Sequence, residues 1–248
     1  MSPDEEILKL LKDWAPDVVR LLRQAGYFDL PRDSTKRQAI TKKIGLDTGG
    51  RLYKQVLAAS LEKNEAIAPI VLNEYSLREF RAGAREVARQ LNIPFSKHDW
   101  NEGAQAYFDA HGLELVKRMS QTDLDSLRDR IQYDFNLNPR DFAKKFAESY
   151  SCSPARLERI KRTETHTSAQ AGGHSFAGEA ECEFNQWMCH PRGKWPRATH
   201  RAVWYEVVEY GKPFSNGLLY PSEPNCRCYL LYFLDRDHLK WGRKSASS

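Results

Sequence analysis

Through the first two-thirds of the 248-residue chain, apolar residues recur every three or four positions, which is the spacing of one face of an α-helix. The clearest stripes span residues 7–22 and 77–91, and the second ends before Pro94, which cannot continue a helix. Another stripe, over residues 52–61, follows the Gly49-Gly50 turn. These stripes predict helices packed around an apolar core, and we attribute them to packing and not to cofactor binding.

Capping signals divide the later helical region. Thr122 to Asp125 has the pattern of a capping box and would start a new helix after one spanning residues 104–119. Asn138-Pro139 and Ser153-Pro154 each pair an N-cap residue with proline at the first helical position. These signals predict three short capped helices in succession.

The character of the sequence changes after Gly172-Gly173, where aromatic residues, glycine, proline, histidine and cysteine accumulate. Residues 203–210 have a period of two and predict a strand, and residues 229–234 predict a second one. Between them, prolines and glycines predict a winding loop. The predicted fold class is therefore α+β, with a helical N-terminal two-thirds followed by a small, loop-rich antiparallel sheet.

Composition limits the classes of function. The balance of 38 Lys and Arg against 33 Asp and Glu gives a net charge of +5, which permits contact with an acidic polymer without requiring it. No apolar run approaches the roughly 20 residues of a membrane-spanning helix, and the first residues are acidic where a signal peptide would be basic. We therefore expect no membrane association and no secretion. The sequence has no phosphate-binding loop, nucleophile elbow or H-E-x-x-H motif. These absences argue against the enzyme families that use those motifs and against no others.

Residues that can ligate metals are concentrated between positions 182 and 228. They are Cys182, Cys189, His190, His200, Cys226 and Cys228. Zinc prefers four tetrahedral nitrogen and sulfur ligands, and a Cys-x-Cys pair can place two thiolates on one ion. The candidate ligand set is Cys189, His200, Cys226 and Cys228. The sequence leaves open whether these residues hold structural zinc, hold catalytic zinc, or are free thiols that pack as small apolar side chains. An odd total of five cysteines argues against a full disulfide framework.

Glu164 is the carboxylate for which the sequence offers both a structural and a catalytic partner. Near the end of a predicted helix, it can pair with a basic side chain such as Arg197 and pin a loop, which is the role we expect. Alternatively it forms an acid/base pair with His166 or His200. Trp187 is expected to anchor the core.

The chain ends in a basic segment that contains Lys240, Arg243 and Lys244. A solvated tail is the ordinary interpretation of such a segment, and contact with nucleic-acid phosphates is the functional one.

Several motifs between residues 156 and 228 follow one another in a fixed order. They are Arg162-Thr163-Glu164, then Trp187, then Arg197 and His200 as R-x-x-H, then the segment Lys212 to Pro221, and last Asn225-Cys226-Arg227-Cys228. In this order and spacing they resemble the phage Mu F-like head morphogenesis family, the minor head proteins that accompany the portal in tailed phages. The chain departs from the family at Ala202 to Tyr205, where a short glycine-glutamine turn is usual, and its loop before Asn225 is short.

The resemblance implies a minor capsid protein of the virion, present in few copies near the portal vertex and in the host cytoplasm during assembly. Its partners would be the portal protein, other head proteins and, in DNA packaging or ejection, phage DNA. No small-molecule substrate and no catalytic residue are expected. The implied domains are a phage-specific, portal-docking helical region over 1–120, the family domain over 121–236 and a frayed basic tail over 237–248.

The resemblance also implies structural roles for the motif residues. Glu164, Arg197, His200 and the N-C-R-C turn would hold the loop-rich sheet against the helices, with Asn225 and Arg227 satisfying loop carbonyls or carboxylates. Two other functions stay open. One is a metal-assisted nuclease or hydrolase that uses Glu164 and His200, and the other is a DNA-binding protein ejected with the genome.

Overall fold

The computed structural model describes residues 1–30, 37–95, 100–134, 136–149, 152–189 and 196–237, with the side chains of 37–39 and 100–103 excepted. His190 and the basic residues Lys240, Arg243 and Lys244 lie outside the described residues. The helices are α1 (Pro3–Gln24), α2 (Arg37–Lys43), α3 (Arg51–Val71), α4 (Leu77–Leu91), α5 (Trp100–Tyr133), α6 (Pro139–Ala147), α7 (Pro154–Glu179) and α8 (Ala198–Ala202). The strands are β1 (Phe184–Met188), β2 (Val207–Glu209) and β3 (Tyr229–Phe233). A π-helical turn, Leu72–Ser76, leads into α4.

The predicted α+β class is confirmed: the structure is mostly helical and then forms a small three-stranded antiparallel sheet near its C-terminal end. The chain forms two compact units. Unit 1 comprises residues 1–71 and 110–158, and unit 2 comprises residues 72–109 and 159–248. The family domain expected over 121–236 stays a prediction. Among the described residues, no helix is long and apolar enough to cross a membrane.

In unit 1, helix α1 packs against α3 and α6. The helix begins with a capping box, in which the Ser2 hydroxyl accepts the backbone N–H of Glu5 and the Glu5 carboxylate accepts that of Ser2. In its apolar stripe, the ring of Trp14 contacts that of Phe146, and the two ring centroids are 5.4 Å apart. The Tyr27 hydroxyl donates to the carbonyl of Ile131 at 3.1 Å. The apolar stripe predicted from the sequence therefore forms part of the core of this unit.

A charged network is buried in the same unit, centred on the fully buried Asp123. Lys63 Nζ and Ser60 Oγ donate to its Oδ2 at 2.5 and 2.6 Å, and Arg156 donates to its Oδ1. Arg156 also donates to the carbonyl of Met119 at 3.1 Å. Burial lowers the pKa of Lys63 to about 8, although the neighbouring carboxylate opposes that shift. The Asp123 carboxylate is thus held by several donors, as a buried charge requires.

Unit 2 depends on close contact between α4 and the part of α7 from residue 159 onward. A Cβ added to Gly83 would lie 1.8 Å from the carbonyl oxygen of Ala169, and one added to Gly172 would lie 1.9 Å from that of Phe80. Real Cβ atoms cannot approach so closely, so only glycine permits this packing. Helix α7 has 26 residues and includes Gly172 and Gly173, so the predicted short helix after Ser153-Pro154 is wrong in its length.

In the sheet, β1 is central and pairs with β2 on one side and β3 on the other, in the order β2-β1-β3. Trp187 on β1 lies opposite Leu230 on β3 and is fully buried, as predicted. Its ring meets that of Phe214 edge to face, with centroids 5.2 Å apart. The sheet thus supplies one wall of the unit 2 core.

The structure confirms two of the predicted helix starts. The Asn138 side chain accepts from the N–H of Asp141 at 2.9 Å, and the Ser153 hydroxyl accepts from that of Arg156 at 3.3 Å. The start predicted at Thr122 is wrong, because α5 runs without a break from residue 100 to 133. The Thr122 hydroxyl donates to the carbonyl of Arg118 one turn earlier, which is an interior pattern and not a cap.

The strand prediction is confirmed at 229–234, where β3 covers residues 229–233. It is wrong over most of 203–210, since only β2, residues 207–209, is extended there. Val203 ends α8, and Tyr205 has a positive φ of 69°, which interrupts the alternation. The central strand β1 was not predicted.

Candidate metal centre

The pairing of β1 with β3 brings the sulfurs of Cys189 and Cys228 together. The ladder between β1 and β3 ends with Met188 opposite Tyr229, so the adjacent residues Cys189 and Cys228 lie side by side. Their sulfurs are 3.3 Å apart, and both residues are 2% exposed. The Cys189 thiol also lies 3.5 Å from the carbonyl oxygen of His200. These cysteines are free, with no disulfide.

Helix α8 and the N-C-R-C turn complete the cluster. Nδ1 of His200 lies 3.3 Å from the sulfur of Cys226 and 3.6 Å from that of Cys228. The ligand atoms of these three residues all lie within 4.8 Å of one another. Asn225 has a positive φ of 59°, which turns the chain at this point, and the N–H of Cys228 points to the Cys226 sulfur at 3.3 Å.

A carboxylate and a guanidinium lie on the other side of the imidazole ring. Nε2 of His200 is 2.9 Å from Oε2 of Glu223, within ion-pair distance but without the alignment of a hydrogen bond. Arg197 pairs with the same carboxylate oxygen and donates to the carbonyl of Pro224 at 2.6 Å. Both residues of the R-x-x-H motif therefore contact the segment just before Asn225. The Arg197 guanidinium pairs with Glu223, and the His200 ring lies against the same carboxylate.

The cluster favours a thiolate at one position. Hydrogen bonding to Cys228, and then to His166 and His200, lowers the pKa of Cys226. Hydrogen bonding to Cys226 is also the largest influence on the other two neighbours, raising the pKa of Cys228 and that of His200. Burial raises the pKa of Cys189. Three thiols and an imidazole thus lie together in a mostly buried cluster, and these are the groups of a soft metal site or of a thiol–imidazole pair.

Comparison of the chain with models of protein families, with curated proteins and with solved structures found no match in any of the three.

Helix α7 carries the first of the ordered motifs. Thr163 and Glu164 are buried on it, whereas Arg162 is exposed. Three residues after Glu164, the Thr167 hydroxyl donates to the carbonyl of Ser222 at 3.3 Å. The helix that bears Glu164 is therefore in contact with the segment that leads into the N-C-R-C turn.

The other predicted site residues are Asn225 and Arg227 of the N-C-R-C turn and His200 of α8. Asn225 and Arg227 are exposed, so their expected role in satisfying loop carbonyls stays a prediction. The His200 side chain contacts Cys226, Cys228, Glu223 and Trp187, whose ring meets the imidazole edge to face at 5.2 Å.

Glu223 is the residue of the site that sequence reasoning missed. Nothing in its local sequence distinguishes it from other loop carboxylates except its position three residues before Cys226. Its importance comes from its contacts with Arg197 and His200, which lie more than twenty residues earlier in the chain.

Proposed function

We propose that the chain is a minor head protein that accompanies the portal of a tailed phage and acts in head assembly without catalysing a reaction. One observation carries the proposal: the residues of the R-x-x-H motif contact the segment that ends in N-C-R-C. Arg197 pairs with Glu223, and His200 reaches Cys226 and Cys228. Motifs that are distant in sequence, and that resemble the Mu F-like family in order and spacing, thus form a joint site within unit 2.

The surroundings of His200 argue for a structural site. General acid/base catalysis needs a ring nitrogen within hydrogen-bond reach of a substrate proton. Here Nδ1 faces Cys226 and Cys228, Nε2 faces Glu223, and the residue is 2% exposed. These contacts support the structural role over the alternative of a nuclease or hydrolase that uses Glu164.

The DNA-binding alternative has weaker support. A net charge of +5 spread over 248 residues is small for a protein that must follow a phosphate backbone. DNA contact is therefore kept as a secondary property of the proposed head protein.

The experiment is quantitative mass spectrometry of purified particles from the phage or prophage that encodes the chain. We expect the chain in mature particles at a few copies per portal ring, and we expect it to stay with the portal when heads are disrupted gently. Particles that are complete and infectious without the chain would contradict the proposal.

A complementation experiment separates assembly from catalysis. Particles from a deletion strain would be complemented with wild-type protein or with Glu164→Gln. For a structural protein, loss of function in Glu164→Gln accompanies a lower melting temperature and lower incorporation into heads. A variant that is folded and incorporated normally but is inactive would favour the enzyme.

A further inference from the structure

We propose that Cys189, His200, Cys226 and Cys228 bind one zinc ion as a structural site with three sulfur ligands and one nitrogen ligand. The inference stands on the geometry of unit 2 and does not depend on the proposed role in phage heads.

Among the donor atoms, those of His200, Cys226 and Cys228 lie within 4.8 Å of one another, as in a tetrahedral zinc site, and Cys189 is outside this group of three. Cys189 would be the fourth ligand through its position beside Cys228. Zinc bonds of about 2.3 Å to sulfur and about 2.0 Å to nitrogen place a sulfur and a nitrogen about 3.5 Å apart, and two sulfurs about 3.8 Å apart. The two sulfur-to-Nδ1 distances, for Cys226 and Cys228, are 3.3 and 3.6 Å. The distance between the sulfurs of Cys189 and Cys228 is 3.3 Å, so metal binding requires them to separate by about 0.5 Å.

The groups behind the ligands are those that metal sites use. A zinc-bound histidine commonly directs its second ring nitrogen to a carboxylate, which fixes the ring and raises its basicity. Glu223 occupies this position at 2.9 Å from Nε2 of His200, and Arg197 pairs with that carboxylate in turn. The N–H of Cys228, aimed at the sulfur of Cys226, stabilises a thiolate of the kind that ligates zinc.

Two other uses of the cluster explain less of it. A disulfide between Cys189 and Cys228 needs a separation near 2.05 Å and would leave Cys226 and His200 without a purpose. Cys226, His200 and Glu223 are also ordered like a thiol nucleophile with its base and orienting carboxylate. That role has no use for the two further sulfurs, whereas a metal requires a full set of donors.

The test uses the full chain, purified under reducing conditions without chelators, with metals quantified by plasma mass spectrometry. We expect about one zinc per chain. Replacement of the metal with cobalt should give thiolate-to-cobalt charge-transfer absorption in the near ultraviolet and intense tetrahedral bands in the red. These two readouts need no variant, so they remain decisive even if ligand substitutions prevent folding.

Variants then assign the ligands. Cys226→Ser is expected to lose the zinc, while the matched control Cys182→Ser, at a buried free cysteine of the same unit, is expected to keep it. Cys189→Ser should weaken the cobalt charge-transfer band, because a sulfur ligand is lost. Glu223→Gln keeps all four ligands and should lower zinc affinity by about 10- to 100-fold in chelator competition.

Several results would overturn the proposal. Protein that neither contains zinc nor takes it up after reduction rules out the site, as does stoichiometric iron in place of zinc. Rapid alkylation of Cys226 that added zinc does not slow would indicate a nucleophile instead. Full zinc and an unchanged cobalt spectrum in Cys189→Ser, with loss of zinc in His166→Ala, would overturn the assignment of Cys189 as the fourth ligand.

Discussion

Units 1 and 2 each bury a polar cluster, and the two clusters are complete in different ways. In unit 1, Asp123 is a carboxylate surrounded by donors, two of them cationic, so protein groups alone satisfy it. In unit 2, three thiols and an imidazole face one another, and their donors and acceptors are in competition. The difference teaches that protein groups alone can complete a buried ion network. Thiols and an imidazole that converge instead indicate a metal ion, which takes the place of the thiol protons.

The largest expected effect comes from breaking the unit 1 network. Asp123→Ala leaves the charges of Lys63 and Arg156 buried without a partner, and we expect it to destabilise unit 1 by about 3–5 kcal/mol. Hydrogen exchange measured segment by segment would locate the loss in unit 1. The control Asp125→Asn removes an exposed pair with Arg128 and should cost less than about 1 kcal/mol. Equal effects of the two substitutions would show that the network is not what stabilises the unit.

The second prediction concerns the pH dependence of unit 2. Burial lowers the pKa of His174 from 6.5 to about 4, and the ring stacks on Tyr210 with centroids 4.6 Å apart. Between these values the unfolded chain binds a proton that the folded chain does not. Stability is therefore full above about pH 6.5 and falls as the pH drops toward 4, by up to about 3 kcal/mol.

Chemical denaturation at a series of pH values measures this slope. His174→Phe keeps an aromatic ring and removes the titrating group, so it should reduce the loss of stability on acidification. Tyr220→Phe changes a neighbouring ring and keeps the imidazole, so it should retain the wild-type slope. A slope that is the same in all three proteins would contradict the assignment to His174.

A smaller effect tests the close packing of α4 against α7 in unit 2. Gly172→Ala places a Cβ against the carbonyl of Phe80, and we expect a loss of about 2 kcal/mol, since overpacking outweighs the better helix propensity of alanine. Thr165→Ala on the same helix is the control and should change stability by a few tenths of a kcal/mol. Stabilisation by Gly172→Ala would show that α4 and α7 separate easily.

The smallest predicted effect lies at the start of α6 in unit 1. Asn138→Ala removes the acceptor for the Asp141 N–H, which should cost about 1 kcal/mol in thermal denaturation. Asn138→Asp keeps an acceptor and should restore most of that loss. A full effect in both variants would mean that the cap does not stabilise the helix.

The sequence predicted the fold well where contacts between residues close in the chain determine it. Asn138 and Ser153 cap helices because their side chains satisfy N–H groups close by in sequence. Thr122 carried the same pattern and is helical, because packing of α5 outweighed a cap that the chain did not need. The composition of the sequence changes after Gly172-Gly173, yet both glycines lie inside α7, where they allow a close approach to α4, a helix far away in sequence.

The site was predictable in part for the same reason. Cysteine and histidine types at short spacing indicated His200, Cys226 and Cys228 as ligands, and these three do converge. Glu223 could not be found, because a loop carboxylate gains its role only from the fold that brings His200 to it. The central strand β1 was likewise invisible, since its polar Asn185 and Gln186 hide its burial from a periodicity argument.

X-ray absorption at the zinc edge of the purified chain tests the contrast between the two clusters most directly. We expect about one zinc per chain, with three sulfurs at about 2.3 Å and one nitrogen at about 2.0 Å. The same spectrum should be obtained from Asp123→Asn, because the unit 1 network takes no part in binding. A chain without zinc, or zinc surrounded by oxygen and nitrogen alone, would contradict the account.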